Sequence, residues 1–455
     1  MKIEQTNTEN AIYDPKNPLY WEVESLEKEW NRTFDICNGC RMCFHYCGSF
    51  SKLFQSLDTY AEGDVLKITK EDKEKIVELC YHCKLCYINC PYTDKDKHIF
   101  NLNFAALMQR SVHVQSKKKG VPLRDKILQN SDLAGKLNSN ILSTFVNYTM
   151  KNEFHRSIIE KILKIHKKKL MPEFHRTPFA KWFKKHKKIE NPKFHVVLFS
   201  TCFVNYNNPQ IGKDAVFVLE KNQCNVEHPK QNCCGMPGIN TGDLDFALKK
   251  IKKNIESLYP YAEKNLKILV INPTCSMTLR KEYPLYAGLL GKTNEEKKEW
   301  EEKAKRISDQ CMDITEFLMH LNKQESFSKD FKTTPISIGY HAACHLRAQW
   351  KGFPSRDLLK SIPNTQVSFV AECCGHNGTW SMKKENFELS LEYGKKAFSN
   401  LKSKEANWIS TDCPLAALQL KQGMNLKEIP LHPIQILAKA YRKKEEGGFP
   451  DPIEK

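Results

Sequence analysis

Eighteen cysteines occur in this 455-residue chain, and eight of them stand in two copies of one pattern. Residues 78 to 94, ELCYHCKLCYINCPYTD, carry Cys80, Cys83, Cys86 and Cys90, with Pro91 directly after the last. Residues 37 to 48, CNGCRMCFHYCG, carry Cys37, Cys40, Cys43 and Cys47, with Gly48 where the other copy has proline. Three thiolates spaced every three residues wrap one corner of an iron-sulfide cube, while the fourth lies too far along to close the same site. In paired motifs that fourth cysteine reaches across to the other cluster. The spacing therefore predicts crosswise ligand sets: Cys37, Cys40 and Cys43 with Cys90 for one [4Fe-4S] cluster, and Cys80, Cys83 and Cys86 with Cys47 for a second. Zinc fits less well, since structural zinc sites favour paired C-x2-C units. A disulfide framework fits less well again, because such frameworks belong mainly to small domains that lack a core.

A second set of cysteines lies beyond residue 194. Cys202, the adjacent pair Cys233 and Cys234, and Cys275 recur as Cys344, the pair Cys373 and Cys374, and Cys413, at offsets of 142, 140 and 138 residues. Three offsets so close describe an internal duplication. Neighbouring side chains on an extended strand point apart, so two consecutive thiolates serve one site only if the backbone turns there. Gly235 in CCGMPG and Gly375 in CCGHNG permit that turn and let the main chain approach a cofactor.

These residues need elements to hold them. Residues 20 to 36 read as a helix with Leu26, Trp30 and Phe34 on one face, leading into Cys37. Thirty-two residues separate Cys47 from Cys80, and much of DTYAEGDVLKITKEDKEKIVEL within them reads as helical. After residue 194, FHVVLFSTC, KILVINPTC, ISIGYHAAC, VSFVAECC and WISTDC read as buried strands, each ending on a cysteine. Between them, GDLDFALKKIKKNIESL puts Leu244, Ala247, Ile251, Ile255 and Leu258 on one helical face with Asp243 as cap, and SMKKENFELSLEYGKKAF reads as a matching helix opened by Ser381. The expected architecture is α+β and multi-domain. It consists of an N-terminal segment (1–30), a helical two-cluster ferredoxin-type domain (31–100), a basic helical connector (101–193), and two α/β cysteine-rich modules (194–330 and 331–442), each running strand, helix, strand, helix, strand.

A double ferredoxin motif followed by two Cys...Cys-Cys-Gly...Cys modules resembles the family of iron-sulfur subunits of anaerobic glycerol-3-phosphate dehydrogenases, and more broadly the iron-sulfur subunits of heterodisulfide reductase and glycolate oxidase. The resemblance spans about residues 30 to 440, and FVNYNNPQIGKD, NCCGMP, ECCGHNGT and STDCP are especially similar to the glycerol-3-phosphate dehydrogenase pattern. It implies a chain that relays electrons from a flavoprotein dehydrogenase subunit toward membrane quinone. It also implies that Cys202, Cys233, Cys234, Cys275, Cys344, Cys373, Cys374 and Cys413 are ligands of at least one further cluster. One departure matters. In heterodisulfide reductases each module ends in C-x2-C, and five thiolates hold a noncubane cluster at which the disulfide is cleaved. Here Ser276, Met277 and Thr278 follow Cys275, and Pro414, Leu415 and Ala416 follow Cys413, so four thiolates remain per module. The alternative function is nevertheless a heterodisulfide reductase-like enzyme that reduces a disulfide at the C-terminal cluster. A zinc-stabilised scaffold is a third, non-redox reading.

No G-x-G-x-x-G follows a predicted strand, so neither flavin nor nicotinamide is expected on this chain. GKT at 291–293 lacks the first glycine of a phosphate loop, since Tyr286 stands there. Cys224 and Cys311 fit neither repeat and read as small buried hydrophobes. His341, His345 and His376 read as hydrogen-bonding or core residues, and Asp412 as a candidate to tune the Cys413 site. No run reaches the ~18 to 20 apolar residues of a membrane span, and the N-terminus shows no secretory pattern, which predicts a cytoplasmic protein. The formal charge is +18, and residues 151–194 alone hold fourteen Lys or Arg against four Glu. In SIIEKILKIHKKK and FAKWFKKHKK, Ile158, Ile159, Ile162, Leu163, Phe179, Trp182 and Phe183 alternate with lysines. That composition suits an anionic membrane surface, a solvated face, or an acidic partner. Nucleic acid is not expected, because no recognised binding module accompanies the charge.

Overall fold

The computed structural model describes residues 3–450. The chain forms two compact units, one containing residues up to Lys126 together with Pro237–Leu248, the other Ile127–Met236 and the chain from Lys249 onward.

The first unit is helical: α1 (Val23–Cys40), α2 (Gly48–Thr59), α3 (Lys70–Glu78), α4 (Leu85–Asn89) and α5 (Phe104–Lys119). On α1, Leu26, Trp30 and Phe34 recur at four-residue intervals and are all buried, against Phe50, Leu53 and Phe54 of α2, Ile76 and Val77 of α3, and Phe104, Leu107 and Met108 of α5. The Thr69 hydroxyl caps α3 by accepting the Asp72 N–H at 3.2 Å. Glu29 and Arg32 form a buried ion pair at 2.7 Å, and the Arg110 guanidinium donates to the carbonyls of Tyr20, Leu19 and Asn10 and to the Ser25 hydroxyl. Residues 237–248 complete this unit. The Ile239 carbonyl accepts from Gln109 at 2.6 Å and is bonded by His113 at 2.9 Å, and the Thr241 carbonyl accepts from Ser116 at 2.9 Å.

In the second unit, helices α6 (Leu123–Gln129, which begins in the first unit), α7 (Ser131–Asn138), α8 (Ser143–Lys151) and α9 (Glu153–Leu163) precede two parallel sheets. β1 (Phe194–Phe199), β2 (Cys224–Glu227), β3 (Lys267–Val270) and β4 (Cys311–Asp313) lie in the order β2-β1-β3-β4; β5 (Ser337–His341), β6 (Gln366–Val370) and β7 (Trp408–Thr411) lie in the order β6-β5-β7. Register places Phe194 opposite Cys224, Val196 opposite Lys267, and Ile338 opposite both Val367 and Trp408. In each sheet the chain steps to one side of its first strand and then to the other. The resulting switch points lie between β1 and β3 and between β5 and β7, where open parallel sheets gather ligands at their carboxyl ends. The helix Leu244–Glu263 buries Ala247, Ile251, Ile255 and Leu258, and Asp243 accepts the Phe246 N–H at 3.2 Å.

The structure corrects four expectations. All five expected strands form, but each stops before its cysteine, which lies in the following turn or short helix. Strand β2, at four residues too short to show a periodicity, is the middle strand that the strand, helix, strand, helix, strand order requires, while the three-residue β4 is a further strand beyond that order; Cys224 and Cys311 start them as buried side chains. The helix after CCGHNG starts at Phe387, not Ser381, because Ser381 is fully buried with its hydroxyl bonded to His376 Nδ1 at 3.2 Å. Finally, FAKWF is no free amphipathic face. Phe179 is buried in the main core with Trp182 and Phe183 packed against it, and Gly212 leaves room for the Phe179 ring.

Candidate cluster-binding sites

Cys37 and Cys40 lie on the last turn of α1, which ends at Arg41 in the left-handed region at φ 52°. The chain turns through Cys43 to Cys47, the N-cap of α2. In the second copy Cys80 follows α3, His82 and Lys84 take φ of 51° and 60°, Cys86 lies within α4 and Cys90 ends it. Non-glycine residues hold such angles at a cost of about 1 kcal/mol or more each, and wrapping a chain tightly around a compact group is a demand that imposes them.

Burial raises the Cys37 thiol well above its ordinary value, with Cys43, Cys90 and Cys40 adding to the shift. Burial also pushes Cys43 up to about 12, with Cys90 and Cys40 adding. For Cys47, burial again leads and Cys80 and Cys83 follow; for Cys86, burial leads, followed by Cys83, Cys80 and Cys47. The fold thus brings Cys90 beside the first triplet and Cys47 beside the second. A pocket lies among Cys37, Cys40, Cys43 and Cys90, with Cys86 of the second motif also on its lining; Phe50, Phe54, Leu102 and Phe104 wall it, Arg41 and Asn89 border it, and its lining includes no carboxylate and no imidazole. Several thiols gathered beside phenylalanine and leucine, with no carboxylate or imidazole to compete, suit the soft sulfur ligation of an iron-sulfur cluster.

In the second unit the cysteines cluster at the carboxyl ends of the strands. Cys202 follows β1, the pair Cys233 and Cys234 follows β2, and Cys275 follows β3. Gly235, at φ 95°, turns the chain at the pair. The four thiols form a hydrogen-bonded series, Cys202 with Cys233, Cys233 with Cys234, and Cys234 with Cys275. Those bonds, ahead of burial, raise Cys202 and Cys234 and hold Cys233 low. Asp132 of α7 accepts the Cys233 N–H at 2.6 Å and pairs with Lys250 at 3.0 Å.

The second module repeats the arrangement with Cys344 after β5, Cys373 and Cys374 after β6, and Cys413 after β7. Gly375 has φ 73°, and a Cβ there would stand 1.8 Å from the Ser390 carbonyl oxygen, so only glycine fits. Its N–H donates to Cys373 Sγ at 3.3 Å. Burial raises Cys374, with Cys373 and Cys413 adding. Burial pushes Cys413 up to about 11, and Cys275 of the first module contributes. The two modules meet here, through His345 Nδ1 and Thr274 Oγ1 at 2.9 Å and the Ser276 hydroxyl donating to Gln349 at 3.2 Å.

His341 is bonded to Thr411 and the Glu372 carbonyl. Asp412 accepts from the hydroxyls of Tyr340 and Ser355, and its burial pushes it up to about 6. Among the described residues, no three His, Cys, Asp or Glu are spaced to hold a single metal ion. Two residues at these sites carry no sequence signal: Asp132 stands in an ordinary helix, and Lys169 sits in the lysine run read as a membrane-facing, solvated or partner-facing surface. Lys169 is 4% exposed and its Nζ donates to the Gln419 side chain.

Residues 196–280 and 338–421 match the cysteine-rich domain family CCG, and residues 36–93 match the 4Fe-4S dicluster domain family. Over 322 residues the chain is 28% identical to a subunit of the anaerobic glycerol-3-phosphate dehydrogenase of Escherichia coli K12, covering 70% of this chain and 77% of that one. Over 188 residues it is 31% identical to lactate utilization protein A of Shouchella clausii, covering 40% and 72%. The chain belongs to the CCG-domain iron-sulfur proteins. This CCG-domain iron-sulfur protein is also similar to a subunit of the fumarate reductase (CoM/CoB) of Methanothermobacter marburgensis, 28% identical over 230 residues that cover 49% of this chain and 41% of that one. It carries a dicluster region for two [4Fe-4S] clusters and serves electron transfer. The matched CCG segments begin within or at the first residues of β1 and β5 and include all strands of the duplicated sheets except β4. Among the described residues, no helix is long and apolar enough to cross a membrane.

Proposed function

We propose that this chain is the electron-relay subunit of a dehydrogenase complex similar to anaerobic glycerol-3-phosphate dehydrogenase, taking electrons from a flavoprotein partner and passing them toward membrane quinone. The proposed ligands are Cys37, Cys40, Cys43 and Cys90 for one cluster, and Cys80, Cys83, Cys86 and Cys47 for the second. Cys202, Cys233, Cys234 and Cys275, with Cys344, Cys373, Cys374 and Cys413, are the proposed ligands of further clusters. Bound clusters supply one-electron carriers, whose potentials depend on burial and on hydrogen bonds to sulfur. The chain's own contribution is visible in the N–H of His82 near Cys80 Sγ at 3.5 Å, that of Gly375 on Cys373, and the phenylalanine side chains beside the first motif's thiols.

The observation that carries the reading is the grouping of sulfur donors by fours. Four suffices for a carrier, while the disulfide-cleaving alternative relies on a fifth thiolate, and Thr278 and Ala416 stand where it would be. Purification without oxygen together with native partners tests the relay. The expected result is iron clearly above the roughly eight atoms of two clusters, a co-purifying flavoprotein, and a C-terminal cluster signal that thiol substrate leaves unchanged under oxidising conditions. A signal that changes on adding thiol favours the disulfide reductase.

A membrane-peripheral position is part of the proposal. Ile141, Leu142, Phe145, Tyr148, Phe154 and Ile162 of the α7–α9 region are exposed, and Lys161, Lys167 and Lys168 lie beside them in sequence. Large apolar side chains interleaved with lysine suit an anionic lipid surface.

A further inference from the structure

The two duplicated modules have diverged around their thiols. Phe203 follows Cys202 and Met236 follows Gly235, whereas His345 follows Cys344 and His376 follows Gly375. His376 Nδ1 meets the Ser381 hydroxyl, while its buried Nε2 has no partner among the described residues. A third difference comes from the connector. Lys169 is 4% exposed and its Nζ donates to the side-chain oxygen of Gln419, whose amide donates to the Ser390 carbonyl at 3.5 Å, the carbonyl against which Gly375, next to Cys374, is packed. Among the described residues no carboxylate pairs with it.

An ammonium withdrawn from water is costly unless an anion faces it, and a neutral amide is no counter-ion. The compensation therefore comes from the thiolate side. Asp412, the nearest acidic neighbour in sequence to Cys413, is turned to the Tyr340 and Ser355 hydroxyls. In the first module the lysine at the thiols is paired: Asp132 stands by Cys233, and Lys250 neutralises it.

We infer that Lys169 is a positioning residue that supplies the counter-charge of an anionic thiolate-ligated cluster in the second module and makes that module the preferred seat of the electron. The inference rests on the cluster occupancy proposed above. One-electron reduction adds one negative charge to a cluster, and a fixed cation beside it favours the reduced form. In the transfer, one electron leaves the first module and one arrives at the second, with no bond made or broken.

The test compares the full-length wild type with Lys169→Gln and Lys169→Arg, purified without oxygen, by iron content and by redox titration followed by electron paramagnetic resonance. In Lys169→Gln, one C-terminal cluster should show about tenfold less reduction at a fixed poise, equivalent to about 59 mV for a one-electron couple. The ferredoxin clusters should be unmoved and Lys169→Arg should stay near wild type. Iron lost from the second module in the Gln variant but kept in the Arg variant supports the counter-charge equally. An unshifted titration at full iron, or equal iron loss in both variants, overturns the role of Lys169 alone. Wild-type protein holding iron for only the two N-terminal clusters overturns the occupancy of the modules, and this inference with it.

Discussion

A serine at position 90 takes one sulfur from the group that otherwise contains Cys37, Cys40 and Cys43. The Cys90→Ser and Cys37→Ser variants should therefore lose the same spectroscopic signal and about four irons each. Cys47→Ser and Cys80→Ser should lose the other signal, and a signal shared between Cys47→Ser and Cys37→Ser would refute the crosswise pairing. At the same scale, Glu29→Gln leaves Arg32 without its buried partner. A loss of roughly 3 to 5 kcal/mol is expected in urea unfolding, larger than for any exposed carboxylate. The paired-motif thiols were legible because their spacing is local and their chemistry narrow. Asp132 and Lys169 were not, because Asp132 meets Cys233, and Lys169 meets Gln419, across a long stretch of chain, and a lysine in a run of lysines looks like surface until the tertiary fold buries it.

The elements that carry the thiols follow from ordinary periodicity. α1 was readable from Leu26, Trp30 and Phe34, and the duplicated strands from their apolar runs. β2 was required by the repeat but could not be placed, and β4 was not expected, because neither is long enough to alternate. The turn after each adjacent pair was legible through glycine, and it gives a sharp prediction. Gly375→Ala places a methyl group against the Ser390 carbonyl at a positive φ, and should cost more than about 2 kcal/mol of stability and strip iron from the second module first. The exposed apolar residues of α8 and α9 make another. Phe145→Glu combined with Phe154→Glu should abolish co-sedimentation with anionic vesicles while leaving iron content at the wild-type level. Unchanged vesicle binding would remove these helices from the membrane reading.

Across the whole molecule, burial pushes His113, His341 and His432 each to about 4, against roughly 6.5 in an unfolded chain. Between those values the unfolded state binds the protons and the folded state does not, so stability is complete above about pH 6.5 and falls as pH drops toward 4. Each histidine contributes about 2 kcal/mol to that loss at pH 5. Unfolding midpoints measured at pH 7 and pH 5 should show the drop, and a flat profile would deny that these rings are held neutral. The charge excess at 151–194 was visible from composition, but which of its aromatics turn inward was not, since Phe179 is buried only because Gly212 makes space for it.

The stretch of chain from Pro237 to Leu248 is borrowed. It lies by sequence inside a matched CCG segment, yet it completes the helical unit that carries the paired motifs. A gene cut after Lys126 would deprive Gln109, His113 and Ser116 of their acceptors at Ile239 and Thr241. The ferredoxin part is therefore no detachable cassette, and grafting it onto another enzyme means carrying those twelve residues along.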